Sequence, residues 1–150
     1  MILSKIKSEK DNLELEVCII EPKGTPKAII QISHGMSEHK ERYYDFMNYL
    51  AENGYICVIH DHRGHGASVI NKSDLGYFYT ENIDYIVNDL YQITKYINVI
   101  LIAIIKLIAH IKIEKSNVRK LVSAKFPNKY LVKSQFVVSK YFENFILLVT

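Results

Sequence analysis

The sequence predicts an α/β fold in which an N-terminal antiparallel hairpin precedes βαβ units with a parallel sheet. Apolar and polar residues alternate over 13–19, and a polar turn at 10–12 separates them from a shorter apolar stretch over 2–6. Two apolar runs typical of strands buried on both faces follow at 27–33 and 55–61. A helical pattern lies between these two runs, so strand, helix and strand are expected to form a right-handed βαβ unit.

Helices are predicted from apolar stripes. The first stripe consists of Tyr43, Phe46, Met47, Leu50 and Ala51. Gly54 is expected to stop this helix, because glycine adopts the left-handed conformation required just past a helix end. A second helix is predicted from Asn82, a good N-cap, with a stripe at Ile83, Ile86, Val87, Leu90, Ile93 and Ile97. The β-branched run Val99–Ile105 then predicts a strand, although periodicity alone does not separate a buried strand from a helix.

Charge and glycine content change near residue 100. Residues 1–100 carry 10 Lys and Arg against 14 Asp and Glu, whereas residues 101–150 carry 9 against 2. All six glycines lie at or before Gly76. We therefore expect the recognisable domain in 1–100, and in 101–150 a divergent basic segment that continues or caps the same domain. The formal net charge of +3 is too small to indicate nucleic-acid binding.

Cysteine usage and the N-terminus predict a cytoplasmic protein. Cys18 and Cys57 fall inside strand-like runs, where a reduced cysteine behaves as a small buried hydrophobe. Residues 1–10 have neither the apolar block nor the cleavage site of a signal peptide. Lys106 and His110 interrupt the later apolar run before it reaches the roughly 20 residues of a membrane span, so spanning is the lesser alternative.

A histidine-glycine loop directly follows the first buried run. It reads His34-Gly35-Met36-Ser37-Glu38-His39, with Arg42-Tyr43 shortly after. This pattern resembles the loop after the third strand in the α/β-hydrolase superfamily, in the group of monoacylglycerol lipases, lysophospholipases and S33-like serine aminopeptidases. The resemblance implies that the main-chain N–H of Met36 donates a hydrogen bond to the oxyanion of a tetrahedral intermediate, in a loop shaped by His34 and Gly35. A polar loop with a satisfied histidine is the plain alternative.

A second motif follows the second buried run. It reads Asp61-His62-Arg63-Gly64-His65-Gly66-Ala67-Ser68 and is similar to the loop that the same hydrolases place after their fourth strand. By this resemblance a set of residues supports the oxyanion site: Asp61, His62, Gly64, His65, Gly66 and Ser68. The two motifs, separated by a helix of fitting length, together identify the family over roughly residues 10–97. A partial α/β-hydrolase fold is therefore expected.

Two rival readings concern the second motif. His60, His62 and His65 suggest a metal cluster, but their order does not match the H-x-H-x-D-H pattern of dinuclear metallohydrolases, so we predict no metal. Ser68 begins a G-x-S pattern, but it lacks the closing glycine and sits away from a strand-to-helix elbow. We therefore interpret Ser68 as a loop hydroxyl.

The family's nucleophile is not recognisable in this chain. The elbow, usually G-H-S-M-G, is expected after the strand at Val99–Ile105, yet 106–111 contain neither serine nor glycine. Ser116 and Ser123 also lack flanking glycines, and His110 is the only histidine beyond His65. A catalytic triad needs a serine, a histidine and a carboxylate, so no catalytic residue is assigned.

The sequence therefore suggests a truncated serine-hydrolase-type protein that is inactive alone. By resemblance, its intact relatives hydrolyse carboxylic esters of acylglycerols or lysophospholipids, so a lipid-like ester is the implied substrate. No cofactor is expected. The alternative is a non-enzymatic protein whose basic, amphipathic C-terminal segment binds a membrane surface or a partner chain. A truncated sheet would also leave an unpaired edge through which copies could associate.

Overall fold

A computed structural model describes residues 1–105, 135–137 and 145–149. Six strands form one mixed sheet in the order β1-β2-β4-β3-β6-β5. The strands are β1 (Ile2–Lys7), β2 (Glu14–Ile20), β3 (Ala28–Ser33), β4 (Tyr55–His60), β5 (Gln135–Val137) and β6 (Phe145–Val149). Two α-helices are described, α1 (Tyr44–Glu52) and α2 (Asp84–Ile105).

The first four strands confirm the predicted hairpin and βαβ unit. β1 pairs with β2 in antiparallel register, and Asn12 makes the intervening turn with a φ of 63°. β2 continues antiparallel onto β4, which lies parallel to β3. Every residue of β3 and β4 is buried, as expected for strands covered on both faces.

Helix α1 covers one face of the sheet. Its predicted stripe is buried against the odd-numbered residues of β4 and the even-numbered residues of β3. Gly54 follows the helix with a φ of +92°, and its amide donates to the Ala51 carbonyl at 2.9 Å. This helix end is the one that the glycine predicts.

Helix α2 covers the opposite face. The Asn82 side chain caps it by accepting a hydrogen bond from the Asp84 amide at 2.9 Å. Ile93 and Ile97 are buried against both central strands, whereas Ile83 and Val87 of the predicted stripe are exposed. A polar bridge adds to this packing, because Thr94 donates to Gln31 of β3 at 2.8 Å.

The strand predicted at Val99–Ile105 is wrong. These residues continue α2, which runs without interruption over 22 residues. Neither glycine nor proline occurs between Asn82 and Ile105 to end the helix, and an apolar run without a clear period fits either state. The position beside β3 is instead taken by β6, which pairs with it in parallel and in turn pairs with β5.

The predictions for residues 106–134, namely the missing elbow at 106–111, the unframed Ser116 and Ser123 and the basic segment, lie outside the described residues. No helix within the described part of the chain has the length and apolar content needed to cross a membrane.

Candidate functional site

The two predicted loops emerge side by side at one edge of the sheet. β3 ends at Ser33 and β4 at His60, and their parallel register places Ile32 opposite Ile59. The histidine-glycine loop and the loop after β4 therefore leave the sheet at the same edge. This edge is where open α/β sheets bind their ligands.

Three hydrogen-bonded bridges join the two loops. His65 Nε2 lies 2.6 Å from the carbonyl oxygen of Met36. The His62 amide donates to Nε2 of His34 at 3.0 Å, and the Lys40 amide donates to a carboxylate oxygen of Asp61 at 2.7 Å. The structure thus brings together the residues that the sequence assigned to the oxyanion loop and to its support.

The hydrogen bonds of His34 define its protonation state. Nε2 accepts from the His62 amide, so the ring proton resides on Nδ1, which donates to the Gly35 carbonyl at 2.8 Å. Burial lowers the pKa of His34, although the bond to Gly35 partly opposes this shift. A neutral imidazole is therefore the form that connects the two loops.

Glu38 holds the turn of the oxyanion loop. Its carboxylate accepts hydrogen bonds from the Gly35 amide at 3.2 Å and from the Tyr43 hydroxyl. Burial raises the pKa of Glu38, but these two bonds and Arg42 together lower it below its ordinary value. The ionised carboxylate thus fixes the backbone immediately before Met36.

The Met36 amide has no acceptor among the described residues, while its side chain is 72% exposed. The Met36 carbonyl is held by His65 on the other loop. A backbone N–H that is fixed in position and unpaired can donate to an anion without reorganisation.

Asp61 and Lys40 form the buried base of the site. Lys40 is 1% exposed, and its ammonium contacts three carboxylates: Glu16 at 2.5 Å, Glu41 at 2.6 Å and Asp61 at 2.7 Å. Burial lowers the pKa of Lys40, but its hydrogen bonds to Asp61, Glu16 and Glu41 outweigh burial and raise it above the ordinary value. Sequence reasoning missed Lys40, because a lysine in a polar loop gives no signal of burial.

The three carboxylates around Lys40 also bear on metal binding. Oxygens of Glu16, Glu41 and Asp61 lie within 4.8 Å of one another, as in a cation site. The Lys40 ammonium already contacts all three carboxylates, so it takes the place that a metal cation would occupy between them. Among the histidines, both ring nitrogens of His34 and of His65 face backbone partners, whereas both ring nitrogens of His60 and Nδ1 of His62 have no partner among the described residues.

Two positions of the second motif require glycine, because other atoms of the chain lie where a Cβ would be. A Cβ at Gly66 would overlap the Asp61 carboxylate, and a Cβ at Gly64 would overlap the backbone of Tyr77. Both glycines have positive φ, +76° for Gly64 and +48° for Gly66. Gly66 lets the Ala67 amide reach Asp61 at 2.8 Å, which closes the loop around the carboxylate.

Arg63 anchors the loop after β4 to the rest of the chain, and the sequence did not single it out. Its fully buried guanidinium donates to Asp89 of α2 at 2.7 Å and to Asp11 of the hairpin turn at 2.8 Å. It also contacts Ser8 and the Phe78 carbonyl. The five N–H donors of the guanidinium are thus used by four partners.

Two serines near the site are occupied by structural contacts. Ser68 is fully buried; it donates to the Asp61 carbonyl at 2.8 Å and accepts from the Glu16 amide at 2.9 Å. Ser33 Oγ lies 2.9 Å from Nε2 of His62, which resembles a nucleophile–base pair. However, burial lowers the pKa of His62 to about 2, and its Nδ1 has no partner among the described residues. His62 is therefore too weak a base to activate Ser33 at neutral pH.

The mixed sheet, its two covering helices and the linked loops at the carboxyl ends of β3 and β4 define an α/β hydrolase. A family model described as serine aminopeptidase, S33, matches residues 24–101, which is just over half of the chain. The chain belongs to this family.

Curated relatives agree with the assignment. Human monoglyceride lipase is 47% identical over 47 residues, which cover 31% of this chain and 16% of the lipase. Protein K6 of vaccinia virus (strain Western Reserve) is 34% identical over 74 residues, which cover 49% of this chain and 91% of K6. The match to monoglyceride lipase thus spans about a sixth of that enzyme.

Solved structures share the fold. A carboxyl esterase from Bacillus coagulans superposes with a TM-score of 0.58 at 23% identity, over 64% of this chain and 31% of the esterase. A monoglyceride lipase from Saccharomyces cerevisiae superposes with a TM-score of 0.52 at 18% identity, over 64% of this chain and 30% of the lipase. At these identities the likeness concerns the fold alone.

Proposed function

We propose that this chain forms the oxyanion-binding half of a hydrolase whose intact relatives cleave carboxylic esters of acylglycerols or lysophospholipids. The observation that carries the proposal is the amide of Met36, which has no acceptor among the described residues and lies between the Gly35 amide, held by Glu38, and the Met36 carbonyl, held by His65. In ester hydrolysis, attack on the carbonyl carbon places negative charge on the carbonyl oxygen. A fixed N–H donor stabilises that charge without having to move.

We further propose that the chain does not catalyse acyl transfer alone. The sequence has no serine in a G-x-S-x-G frame, and Ser33 and Ser68 at the site serve other contacts. Without an activated nucleophile the tetrahedral intermediate does not form. The chain would therefore bind the carboxylate or ester oxygen of a lipid-like molecule without turning it over.

The oxyanion assignment is tested by titrating the ¹⁵N-labelled protein with an alkylphosphonate. We expect a saturable shift of the Met36 amide resonance. Met36→Pro removes the N–H and should abolish the shifts of neighbouring amides, whereas Met36→Ala keeps the N–H and should preserve them. Equal responses of the two variants, with matched circular dichroism spectra, would refute the assignment.

The absence of turnover is tested by labelling the purified chain with a fluorophosphonate probe, alongside an intact serine hydrolase as positive control. We expect no labelling, because the probe needs an activated serine. Stoichiometric labelling at a serine mapped by mass spectrometry would show that a nucleophile is present. Ser33→Ala, Ser37→Ala and Ser68→Ala would then identify which nearby hydroxyl reacts.

We also infer a cytoplasmic location. Both cysteines, Cys18 and Cys57, are buried and unpaired, as is usual for proteins of reducing compartments. Fluorescence imaging of a tagged chain would test this location.

A further inference from the structure

His65 differs from the other histidines of the site in the groups that its ring faces. Nε2 lies 2.6 Å from the carbonyl oxygen of Met36, and Nδ1 lies 3.0 Å from the carbonyl oxygen of Arg63. A carbonyl oxygen accepts hydrogen bonds and has no proton to donate. Both ring nitrogens of His65 are therefore matched with acceptors, one on each of the two loops that form the site.

A neutral imidazole does not satisfy this arrangement. It has one N–H group, and its second nitrogen carries a lone pair that can only accept. In either tautomer one lone pair would point at a carbonyl oxygen, whereas the imidazolium form has two N–H groups and donates to both carbonyls. Charge-assisted hydrogen bonds are also shorter than neutral ones, which agrees with the 2.6 Å between His65 and Met36.

His34 shows the opposite arrangement in the same group of rings. Its Nε2 accepts from the His62 amide at 3.0 Å, so the ring can carry a proton only on Nδ1 and stays neutral. The centroid of the His65 ring lies 5.3 Å from that of His34 and 6.5 Å from that of His62. Burial lowers the pKa of His34 and of His62, and a positive charge on His65 lowers both further. Of these three rings, His65 is the one whose partners favour a charge.

The surroundings of His65 can support this charge. The centroid of its ring lies 5.5 Å from that of Phe78, within the roughly 6 Å over which an aromatic ring attracts a cation. The carboxylates of Asp61 and Glu38 act on the same group of rings, where they oppose the lowering of the His34 pKa. Aromatic and acidic neighbours thus offset part of the cost of burying the imidazolium.

Two buried cations of these loops have acidic partners of their own. The Lys40 ammonium contacts three carboxylates, as described above. The Arg63 guanidinium is bound by Asp11 and Asp89, and it is the Arg63 carbonyl that faces the His65 ring. Because both cations are paired, their charges are largely balanced before they act on His65.

We propose that His65 is a positioning residue in its positively charged form, in which it donates to the carbonyls of Met36 and Arg63 and so joins the two loops. Because the Met36 carbonyl is held in this way, the Met36 amide keeps the position from which it can donate to an anion. The positive charge also favours an anionic ligand at this edge of the sheet. The effect on a ligand rests on the proposed oxyanion function, whereas the charge of the ring does not.

The charge of His65 is tested on the full chain without a ligand. A two-bond ¹H–¹⁵N correlation spectrum of the labelled protein at neutral pH separates ring nitrogens that carry a proton from bare ones. Through-bond correlations from the backbone assign each ring in the wild-type chain. We expect two protonated nitrogens for His65, and one protonated and one bare nitrogen for His34, the control in the same sample. A bare nitrogen on His65 would overturn the proposal.

The positioning role is tested by hydrogen exchange in the free protein. The Glu38 amide donates to the Gly35 carbonyl at 3.1 Å, in the turn that contains Met36. His65→Phe keeps a ring but removes both N–H groups, and we expect it to accelerate exchange at Glu38 about tenfold. His65→Gln keeps a neutral N–H donor, so its exchange rate should fall between those of the wild type and His65→Phe.

Lys72→Gln is the matched control, because it removes an exposed positive charge from the same connection between β4 and α2. It should leave the exchange rate of the Glu38 amide unchanged. An unchanged rate in a folded His65→Phe variant would contradict the proposal. If His65→Phe does not fold, His65→Gln decides, and a rate equal to that of Lys72→Gln would contradict it.

Titration with an alkylphosphonate separates this proposal from the oxyanion function. If the wild-type chain binds, His65→Phe should bind about tenfold more weakly, and Lys72→Gln as well as the wild type. Equal affinities of His65→Phe and the wild type would show that His65 does not position the amide. If the wild-type chain does not bind, the oxyanion function fails, and the ring spectrum and the exchange at Glu38 decide about His65.

Discussion

Lys40 illustrates how one side chain can hold a site together. Its amide and its ammonium both bind Asp61, and the ammonium also contacts Glu16 and Glu41. Lys40 follows the oxyanion loop and Asp61 begins the loop after β4, so one side chain joins both. The hydrogen bonds from Lys40 and His39 lower the pKa of Glu41 to about 2 against the opposing effect of burial.

Lys40→Met should lower the free energy of unfolding by about 3–5 kcal/mol, because it leaves buried carboxylates without a cation. Urea denaturation monitored by circular dichroism measures the change. Lys5→Met is the matched control: Lys5 pairs with Glu14 at 2.7 Å but is exposed, so its loss should cost far less than the loss of Lys40. Similar losses for the two variants would contradict the structural role of Lys40.

Buried histidines predict a dependence of stability on pH. Burial lowers the pKa of His60 to about 3 and that of His62 to about 2. Neither ring nitrogen of His60, nor Nδ1 of His62, has a partner among the described residues. The unfolded chain binds protons near pH 6.5, whereas the folded chain does not. Stability is therefore fully present above pH 6.5 and falls as the pH decreases toward the folded-state values.

We expect His60 to account for up to about 1.4 kcal/mol of lost stability per pH unit below 6.5. Urea midpoints at pH 7.5, 6.5 and 5.5 measure this slope in a range where the carboxylates stay ionised. His60→Leu removes one titrating group and should flatten the slope. An unchanged slope in that variant would exclude His60 as a source of the dependence.

At the scale of elements, the sequence predicted those whose signals are local. Residues a few positions apart are enough to predict the apolar stripe of α1 and its end at Gly54. The same holds for the alternation in β2 and the apolar runs of β3 and β4. The run Val99–Ile105 was misassigned because a stretch that is apolar on all sides has no period to read. Strands β5 and β6 were not predicted, since β6 pairs with β3, more than 100 positions away, and β5 joins the sheet only through β6.

The loop after β4 allows the two costs of replacing a glycine to be separated. Gly66→Ala combines a positive φ with an overlap onto Asp61, Gly76→Ala has a positive φ of +89° in open space, and Gly24→Ala has neither. We expect Gly76→Ala to cost about 1–2 kcal/mol, and Gly66→Ala clearly more. Gly24→Ala should be neutral or slightly stabilising. Chemical denaturation gives the order, and equal losses for Gly66 and Gly76 would contradict the close approach to Asp61.

At the scale of the whole molecule, Arg63 links three parts that are distant in the sequence. The hairpin turn, the loop after β4 and α2 meet at the Arg63 guanidinium. The Ser8 hydroxyl also donates directly to Asp89 at 2.6 Å. The two sequence motifs predicted that the two loops lie side by side, but they did not predict that Arg63 ties them to the hairpin turn and α2. Partners of a buried arginine are dispersed along the chain, so their meeting becomes visible only in three dimensions.

Arg63→Lys keeps the positive charge but removes the planar guanidinium, whose several N–H groups bind Asp11 and Asp89 at the same time. We expect hydrogen exchange to accelerate at the hairpin turn and in the first turns of α2 at the same time. Arg42→Lys, at an exposed arginine 3.8 Å from Glu38, is the control and should leave both regions unchanged. Faster exchange confined to the loop after β4 would contradict the anchoring role.

The meeting of residues 8, 11, 63 and 89 at one guanidinium also has a consequence for folding kinetics. Contacts spanning up to 81 positions require the closure of long loops before they stabilise anything. The pair of turns at the sheet edge therefore gains its final shape only once both the N-terminal hairpin and α2 have docked. We expect the anchor to form after the rate-limiting barrier, so substitutions at Arg63 should speed unfolding more than they slow refolding in stopped-flow measurements.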